Sequence, residues 1–124
     1  MPFNQHLGIR VTRVHRDGIT IECAVRPEMM NGSGVLHGGV TATMADVAVG
    51  LAVQRHYGRR TGITTVELKV NFFRPVASGK VVARSHLLRV GSRISVGRAD
   101  LFDGQKRLVG SALVTYILVE KSSS

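Results

Sequence analysis

The stretch from residue 38 to residue 54 constrains the fold of this 124-residue chain more than any other feature. Its apolar residues spread around the whole circumference of a helix, and Asp46 is its only charged side chain. A helix that is apolar all round is normally buried. Burying a lone carboxylate is costly unless the group is paired or used in chemistry. We therefore expect a buried helix from about His37 to His56, with Asp46 as the first candidate functional residue.

Strand-like patterns flank this helix on both sides. Two runs joined by the turn at residues 16–18 precede it and are typical of a β-hairpin. Four runs follow it; in the first, apolar positions from Val66 to Phe72 alternate with polar positions that begin at Thr65. The last run is apolar on both faces, as expected at the centre of a sheet. The predicted strands are Ile9–His15, Ile19–Arg26, Thr64–Val76, Lys80–Val90, Arg93–Phe102 and Arg107–Glu120.

The element order ββαββββ predicts an α+β fold with an antiparallel six-stranded sheet wrapped around one long central helix. Only a sheet that curls around the helix can hide a helix that is apolar on every side. This arrangement is the hotdog architecture. We expect a single domain over residues 1–120 and a disordered tail over residues 121–124.

Composition and charge exclude several classes of protein. Cys23 is the only cysteine, so no intramolecular disulfide can form, and a cytoplasmic location is expected because no signal peptide or membrane span is recognisable. The five histidines have no zinc-like spacing, so no metal is expected. The net charge of +9 would attract polyanions, but the basic residues are scattered without an aromatic series. This argues against nucleic-acid binding, and a small polyanionic ligand or solubility alone explains the charge equally well.

Asn31, the tripeptide His37-Gly38-Gly39 and Asp46 lead into the central helix in an order and spacing that resembles the PaaI-like hotdog acyl-CoA thioesterases. The strand that ends in Asn71-Phe72-Phe73-Arg74-Pro75 is also similar to that family, and the similarity covers nearly the whole chain. The resemblance implies hydrolysis of an acyl-CoA thioester to free coenzyme A and a carboxylic acid. Coenzyme A would be part of the substrate, no further cofactor is expected, and the site would be shared by two subunits.

The residue types in this pattern suit that chemistry. Thioester hydrolysis needs donors for the developing oxyanion and a carboxylate that activates water or attacks directly. The amides of Gly38 and Gly39 open the helix, where N–H groups lack partners and the dipole is positive. Eight residues of α-helix span about 12 Å, so Gly38 and Asp46 of one chain cannot touch the same carbonyl carbon. An antiparallel helix of a second subunit in a two-fold dimer solves this problem.

The glycine pair at the helix start and Asp46 also have purely structural interpretations. Gly38 and Gly39 could simply pack the helix against the sheet, and Asp46 could be a buried acid satisfied by Thr43 or an arginine. His37 is expected to brace the helix entry rather than to shuttle protons.

Two further residues complete the predicted catalytic set. By the resemblance, Asn31 holds the attacking water or the thioester carbonyl; the alternative is a turn residue with a positive φ. Thr65 corresponds to a family hydroxyl that contacts the catalytic carboxylate. Thr64 is the competing residue, because one register step reverses the face of a strand.

The coenzyme A portion of the substrate carries phosphates, which favour arginine and lysine at the mouth of a pocket. For each candidate residue, ordinary surface charge or turn geometry is the alternative. The candidates are Gly39, Arg74, Arg89, Gly91, Ser92, Arg93, Lys106 and Arg107, with Arg59-Arg60 after the helix. The strand near Thr64–Phe73 is the expected edge for pairing in a homodimer, with a homotetramer of two dimers as the expected assembly.

Two other functions stay open at this point. The chain could bind acyl-CoA without hydrolysing it, as a sensor or carrier. A hotdog hydratase or dehydratase would need a histidine paired with an acid, and the histidine nearest Asp46 is His37, nine residues away and off its helical face.

Overall fold

A computed structural model describes residues 2–58 and 62–119. The predicted tail at residues 121–124 and the pair Arg59-Arg60 lie outside these ranges. A short 3₁₀ turn at Pro27–Met29 connects the first hairpin to the loop before the central helix. The helices and strands are α1 (Pro2–Leu7), β1 (Arg10–Val14), β2 (Ile19–Ala24), α2 (Gly38–Tyr57), β3 (Gly62–Phe72), β4 (Lys80–Val90), β5 (Ile94–Asp103) and β6 (Leu108–Val119).

The strands form one antiparallel sheet in the order β1-β2-β4-β5-β6-β3, and α2 packs against β2, β3, β4, β5 and β6. The predicted α+β class, the ββαββββ order and the hotdog architecture are therefore confirmed. The short helix α1 was not predicted. β1 and β3 lie at the two edges of the sheet, so each has one side without a paired strand in this protomer.

The central helix is buried as its sequence predicts. Met44, Ala45, Ala48 and Val49 are fully buried between the helix and the concave face of the sheet. The helix ends at Gly58, whose φ of 99° lies in the region that favours glycine. No helix in residues 2–58 and 62–119 is long and apolar enough to cross a membrane.

Strand β3 contains a bulge that the sequence pattern did not predict. Its pairing with β6 shifts between Thr65 and Glu67, so Val66 is the inserted residue. Regular alternation would place Thr65 and Phe72 on opposite faces, yet Thr65 contacts Asp46 and the Phe72 ring lies beside Gly38 on the same helix. The predicted alternation therefore holds from Glu67 to Phe72 but is wrong for Thr65, because the bulge at Val66 places Thr65 on the same face as Phe72.

Strand β3 also ends earlier than predicted. The strand stops at Phe72 rather than reaching Val76. The amides of Phe73 and Arg74 both converge on the carbonyl of Val109, at 2.8 and 3.3 Å, as the chain leaves the sheet.

Candidate active site

Asp46 lies in the middle of α2 on a half-buried face, where two strands meet it. Thr65 on β3 donates its hydroxyl to Oδ1 of Asp46 at 2.9 Å. Tyr116 on β6 donates its hydroxyl to the same Oδ1 at 2.5 Å and lies 2.8 Å from the main-chain carbonyl of Asp46. Thr65 and Tyr116 are direct partners across the β3–β6 ladder. Oδ2 has no hydrogen-bond partner among the residues that the structure describes, so one oxygen is fixed and the other is available.

These contacts differ from the structural alternative considered for Asp46. Thr43 does not satisfy the carboxylate, because its hydroxyl donates to the carbonyl of Gly39 at 2.8 Å. Within residues 2–58 and 62–119 no arginine pairs with Asp46. Of the two adjacent threonines, Thr65 rather than Thr64 reaches the carboxylate.

Tyr116 is a site residue that the sequence reasoning missed. It stands in a strand that is apolar on both faces, and its side chain is buried apart from 7% of its surface. Burial and, second, the hydrogen bond to Asp46 hold the pKa of Tyr116 well above its ordinary value, so the phenol stays protonated and donates. The available signal was Gly50, a glycine inside a helix, where a Cβ would overlap the Tyr116 hydroxyl.

The N-terminus of α2 presents one unoccupied amide. His37 is the N-cap, and its Nδ1 accepts from the amide of Gly39 at 2.9 Å. The amide of Val40 donates to the carbonyl of His37 at 3.0 Å. Gly38 is the first helical residue, and in the described part of the chain its N–H has no acceptor. His37 therefore braces the helix entry, and Gly38 rather than Gly39 offers a free donor at the positive end of the dipole.

The two halves of the predicted site lie in separate cavities of one protomer. A cavity of about 320 Å³ contains Gly38 with Phe72 and Arg74. Another, of about 260 Å³, is lined by Asp46 and Tyr116, together with other residues of α1, α2 and β3. The helical rise between Gly38 and Asp46 amounts to about 12 Å. A single protomer thus does not bring the acid and the amide donor to one substrate atom.

Asn31 sits in the loop that leads to His37. Its Oδ1 accepts from the amides of Ser33 at 2.9 Å and Val35 at 3.4 Å, which closes the loop on itself. This use of Oδ1 leaves the side-chain NH₂ group to donate to a ligand. The positive φ expected for the turn occurs at Gly34, at 76°, and not at Asn31.

The candidate residues for the coenzyme A portion fall into two groups at opposite ends of α2. At the N-terminal end, Arg74 lines the Gly38 cavity, and Arg107 is held by Asp103, with 2.7 Å between its Nε and the carboxylate. At the other end, the carbonyl of Gly91 accepts the Tyr57 hydroxyl. One protomer therefore does not bring all the candidates together. The group at the N-terminal end is Gly39, Arg74, Lys106 and Arg107, and the group near the β4–β5 turn is Arg89, Gly91, Ser92 and Arg93.

The described residues contain no group of three histidine, cysteine or acidic side chains that could hold a metal ion.

Comparison with known proteins gives consistent matches. The family model of the thioesterase superfamily matches residues 33–110, which include Gly38, Asp46 and Thr65. The medium/long-chain acyl-CoA thioesterase YigI of Escherichia coli K12 is 31% identical, over 95% of this chain and 86% of its own length. The solved thioesterase HI1161 of Haemophilus influenzae has a TM-score of 0.89 at 29% identity, covering 95% of this chain and 82% of that one. The E. coli PaaI protein of the phenylacetic acid degradation operon shares the fold, with a TM-score of 0.89, 19% identity and coverage of 98% and 87%.

Proposed function

The chain belongs to the thioesterase superfamily and is a thioester hydrolase, and we propose that its substrate is an acyl-CoA. Asp46 acts as general base or nucleophile, and the N–H of Gly38 receives the developing oxyanion. The name of YigI, an acyl-CoA thioesterase, supports coenzyme A as the thiol portion of the substrate. The excess of positive charge, +9 overall, is suited to the coenzyme A phosphates.

The observation that carries this proposal is the asymmetric environment of the Asp46 carboxylate. Oδ1 accepts two hydroxyl hydrogen bonds, whereas Oδ2 is left without a partner in the described ranges. As a general base, Oδ2 takes a proton from water while the water oxygen forms a bond to the thioester carbon. The carbonyl oxygen becomes an oxyanion, and collapse of the intermediate breaks the C–S bond. The coenzyme A sulfur leaves and takes up the proton, giving a free thiol and a carboxylic acid.

Stabilisation of the oxyanion falls to the N-terminus of α2. The N–H of Gly38 lies in the first turn of α2 and has no acceptor in residues 2–58 and 62–119, and the helix dipole there favours negative charge. A Cβ on Gly38 would lie 3.3 Å from Cζ of Phe72, so glycine keeps the approach to this amide open. The NH₂ group of Asn31 is a second donor for the thioester carbonyl or the attacking water.

The site requires two protomers, with Gly38 of one beside Asp46 of the other. Strand β3 supports such a homodimer, because it is a sheet edge and exposes apolar side chains. Val66 is 57% exposed and Phe72 is 56% exposed, which is unusual for large apolar residues on a sheet. A tetramer of two dimers is the larger assembly that we expect.

The test measures release of free coenzyme A with a thiol reagent across a panel of acyl-CoAs. The panel spans phenylacetyl, hydroxybenzoyl and short to long fatty acyl groups, so it also identifies the acyl class. Asp46→Asn keeps the shape and removes the charge, and we expect turnover to fall roughly 10²-fold or more, the scale for loss of a general base. Glu28→Gln, the same chemical change at an exposed position, should leave turnover unchanged.

Two results would contradict the proposal. Near wild-type turnover by folded Asp46→Asn would remove Asp46 from the reaction. Binding of acyl-CoA by the wild-type protein with no release of thiol, across the whole panel, would instead identify a sensor or carrier.

A further inference from the structure

Tyr116 contacts Asp46 through both the side chain and the main chain of that residue. Its hydroxyl is 2.5 Å from Oδ1 and 2.8 Å from the carbonyl oxygen. Thr65, on the neighbouring strand, donates to the same Oδ1 at 2.9 Å. The two donors come from different strands and converge on one oxygen, so they restrict rotation of the carboxylate about its own axis.

Gly50 provides the space that this contact needs. It lies four residues after Asp46 and therefore on the same face of α2. A Cβ at this position would overlap the Tyr116 hydroxyl and lie 2.9 Å from Cζ of the same ring. Glycine in a helix interior stabilises the helix less than alanine does. At Gly50 this loss of helix stability is offset, because the absence of a Cβ leaves room for the Tyr116 phenol to reach Asp46.

The chemistry of the phenol suits a permanent donor. Burial and the hydrogen bond to Asp46 keep the Tyr116 phenol protonated at neutral pH. A protonated phenol next to a carboxylate donates a charge-assisted hydrogen bond, which holds the carboxylate oxygen in place. It also occupies Oδ1, so proton transfer or attack has to use Oδ2.

From this geometry we propose that Tyr116 is a positioning residue of the hydrolytic reaction, which fixes Oδ1 of Asp46 and leaves Oδ2 to act on the thioester. The inference rests on the proposed role of Asp46. Tyr116 does not touch the substrate in this scheme. Gly50 of α2 leaves the space that the phenol occupies.

The test compares the kcat and the KM of wild-type protein and Tyr116→Phe, which keeps the ring and removes the hydroxyl, with kcat expressed per folded site. A hydrogen bond to a charged group accounts for roughly a 10-fold to 100-fold effect, so kcat should fall by about that factor while KM stays unchanged.

Tyr57→Phe is the matched control, since Tyr57 is the only other tyrosine of the chain. Its hydroxyl donates to the carbonyl of Gly91 and lies 3.1 Å from Oγ of Ser95, at the end of α2 away from Gly38. Removing that hydroxyl lowers stability but should leave kcat per folded site unchanged. Gly50→Ala, which displaces the phenol without removing it, should reproduce the lower kcat and the unchanged KM of Tyr116→Phe.

The outcomes separate this inference from the proposed function. If Asp46→Asn is inactive while Tyr116→Phe keeps its kcat, the positioning role is wrong and the function stands. If Tyr116→Phe only unfolds at lower denaturant concentration, with kcat per folded site and KM unchanged, the residue is structural and the inference fails. If Asp46→Asn remains active, the proposed function fails first.

Discussion

Two variants that are each inactive should restore activity when they share a dimer. Asp46→Asn removes the acid from one half of the site. Gly38→Val fills the approach to the amide donor, because a Cβ at this position would already lie 3.3 Å from the Phe72 ring. The two residues lie in separate cavities of a protomer and about 12 Å apart along α2. Each complete site must therefore take its acid from one chain and its donor from the other.

The size of the effect follows from counting sites. A dimer with one chain of each variant contains one site with both lesions and one site with neither. A purified heterodimer should thus have about half of the wild-type activity per dimer. If the chains associate at random, about half of the dimers are mixed, and the unseparated population should show about a quarter of wild-type activity.

The assay is coenzyme A release by heterodimers isolated with two different affinity tags, after sedimentation has verified their dimeric state. A mixture of Asp46→Asn with Asp46→Ala is the matched control. Both lesions affect the same half-site, so these heterodimers should stay inactive. If verified dimers of Asp46→Asn and Gly38→Val remain inactive while both chains are folded, acid and donor act within one chain, and the shared site is wrong.

Two predictions concern stability. Ser85→Ala removes a fully buried hydroxyl that accepts from the Ile19 amide at 3.0 Å and donates to the Ala48 carbonyl at 2.7 Å. We expect the free energy of unfolding to fall by about 1–3 kcal/mol, measured as a lower urea midpoint with an unchanged slope. Hydrogen bonds from Arg84 and then His86 lower the pKa of Asp17 to about 2, so its contribution is present above about pH 4 and is lost as the pH falls towards 2. Urea unfolding at several pH values should give a flatter pH dependence for Asp17→Asn in that window, and equal slopes in both proteins would contradict this.

The position of the central helix and the order of the elements along the chain could be predicted because both follow from local periodicity. The predicted helix from His37 to His56 is shifted by one residue from the observed Gly38–Tyr57. Its burial follows directly from apolar residues on every side. Asp46 was identifiable for the same reason, since a lone acid in such a helix needs partners.

The partners of Asp46 could not be predicted in full, because they depend on register between distant strands. Thr65 and Tyr116 face each other only because of how β3 and β6 pair, and the sequence pattern assigns Tyr116 to an apolar strand. The bulge at Val66 has no local signature in the chain, yet it decides which side chains of β3 face α2. The choice between Thr65 and Thr64 as the partner of Asp46 likewise depends on the register between β3 and β6.

In the proposed dimer, each active site would combine the acid half of one protomer, around Asp46, with the donor half of the other, around Gly38. Each half is formed within one protomer. Among the described residues, the groups that orient Asp46 are Thr65 from β3 and Tyr116 from β6, with the space for the phenol at Gly50 of α2. The donor half is equally self-contained, since His37 caps the helix and leaves the Gly38 amide open. Interface changes that weaken association should therefore lower activity through the fraction of dimer, whereas changes at Thr65 or Tyr116 act within each dimer. The dependence of specific activity on protein concentration distinguishes the two, because only the first kind of loss is recovered as the protein is concentrated.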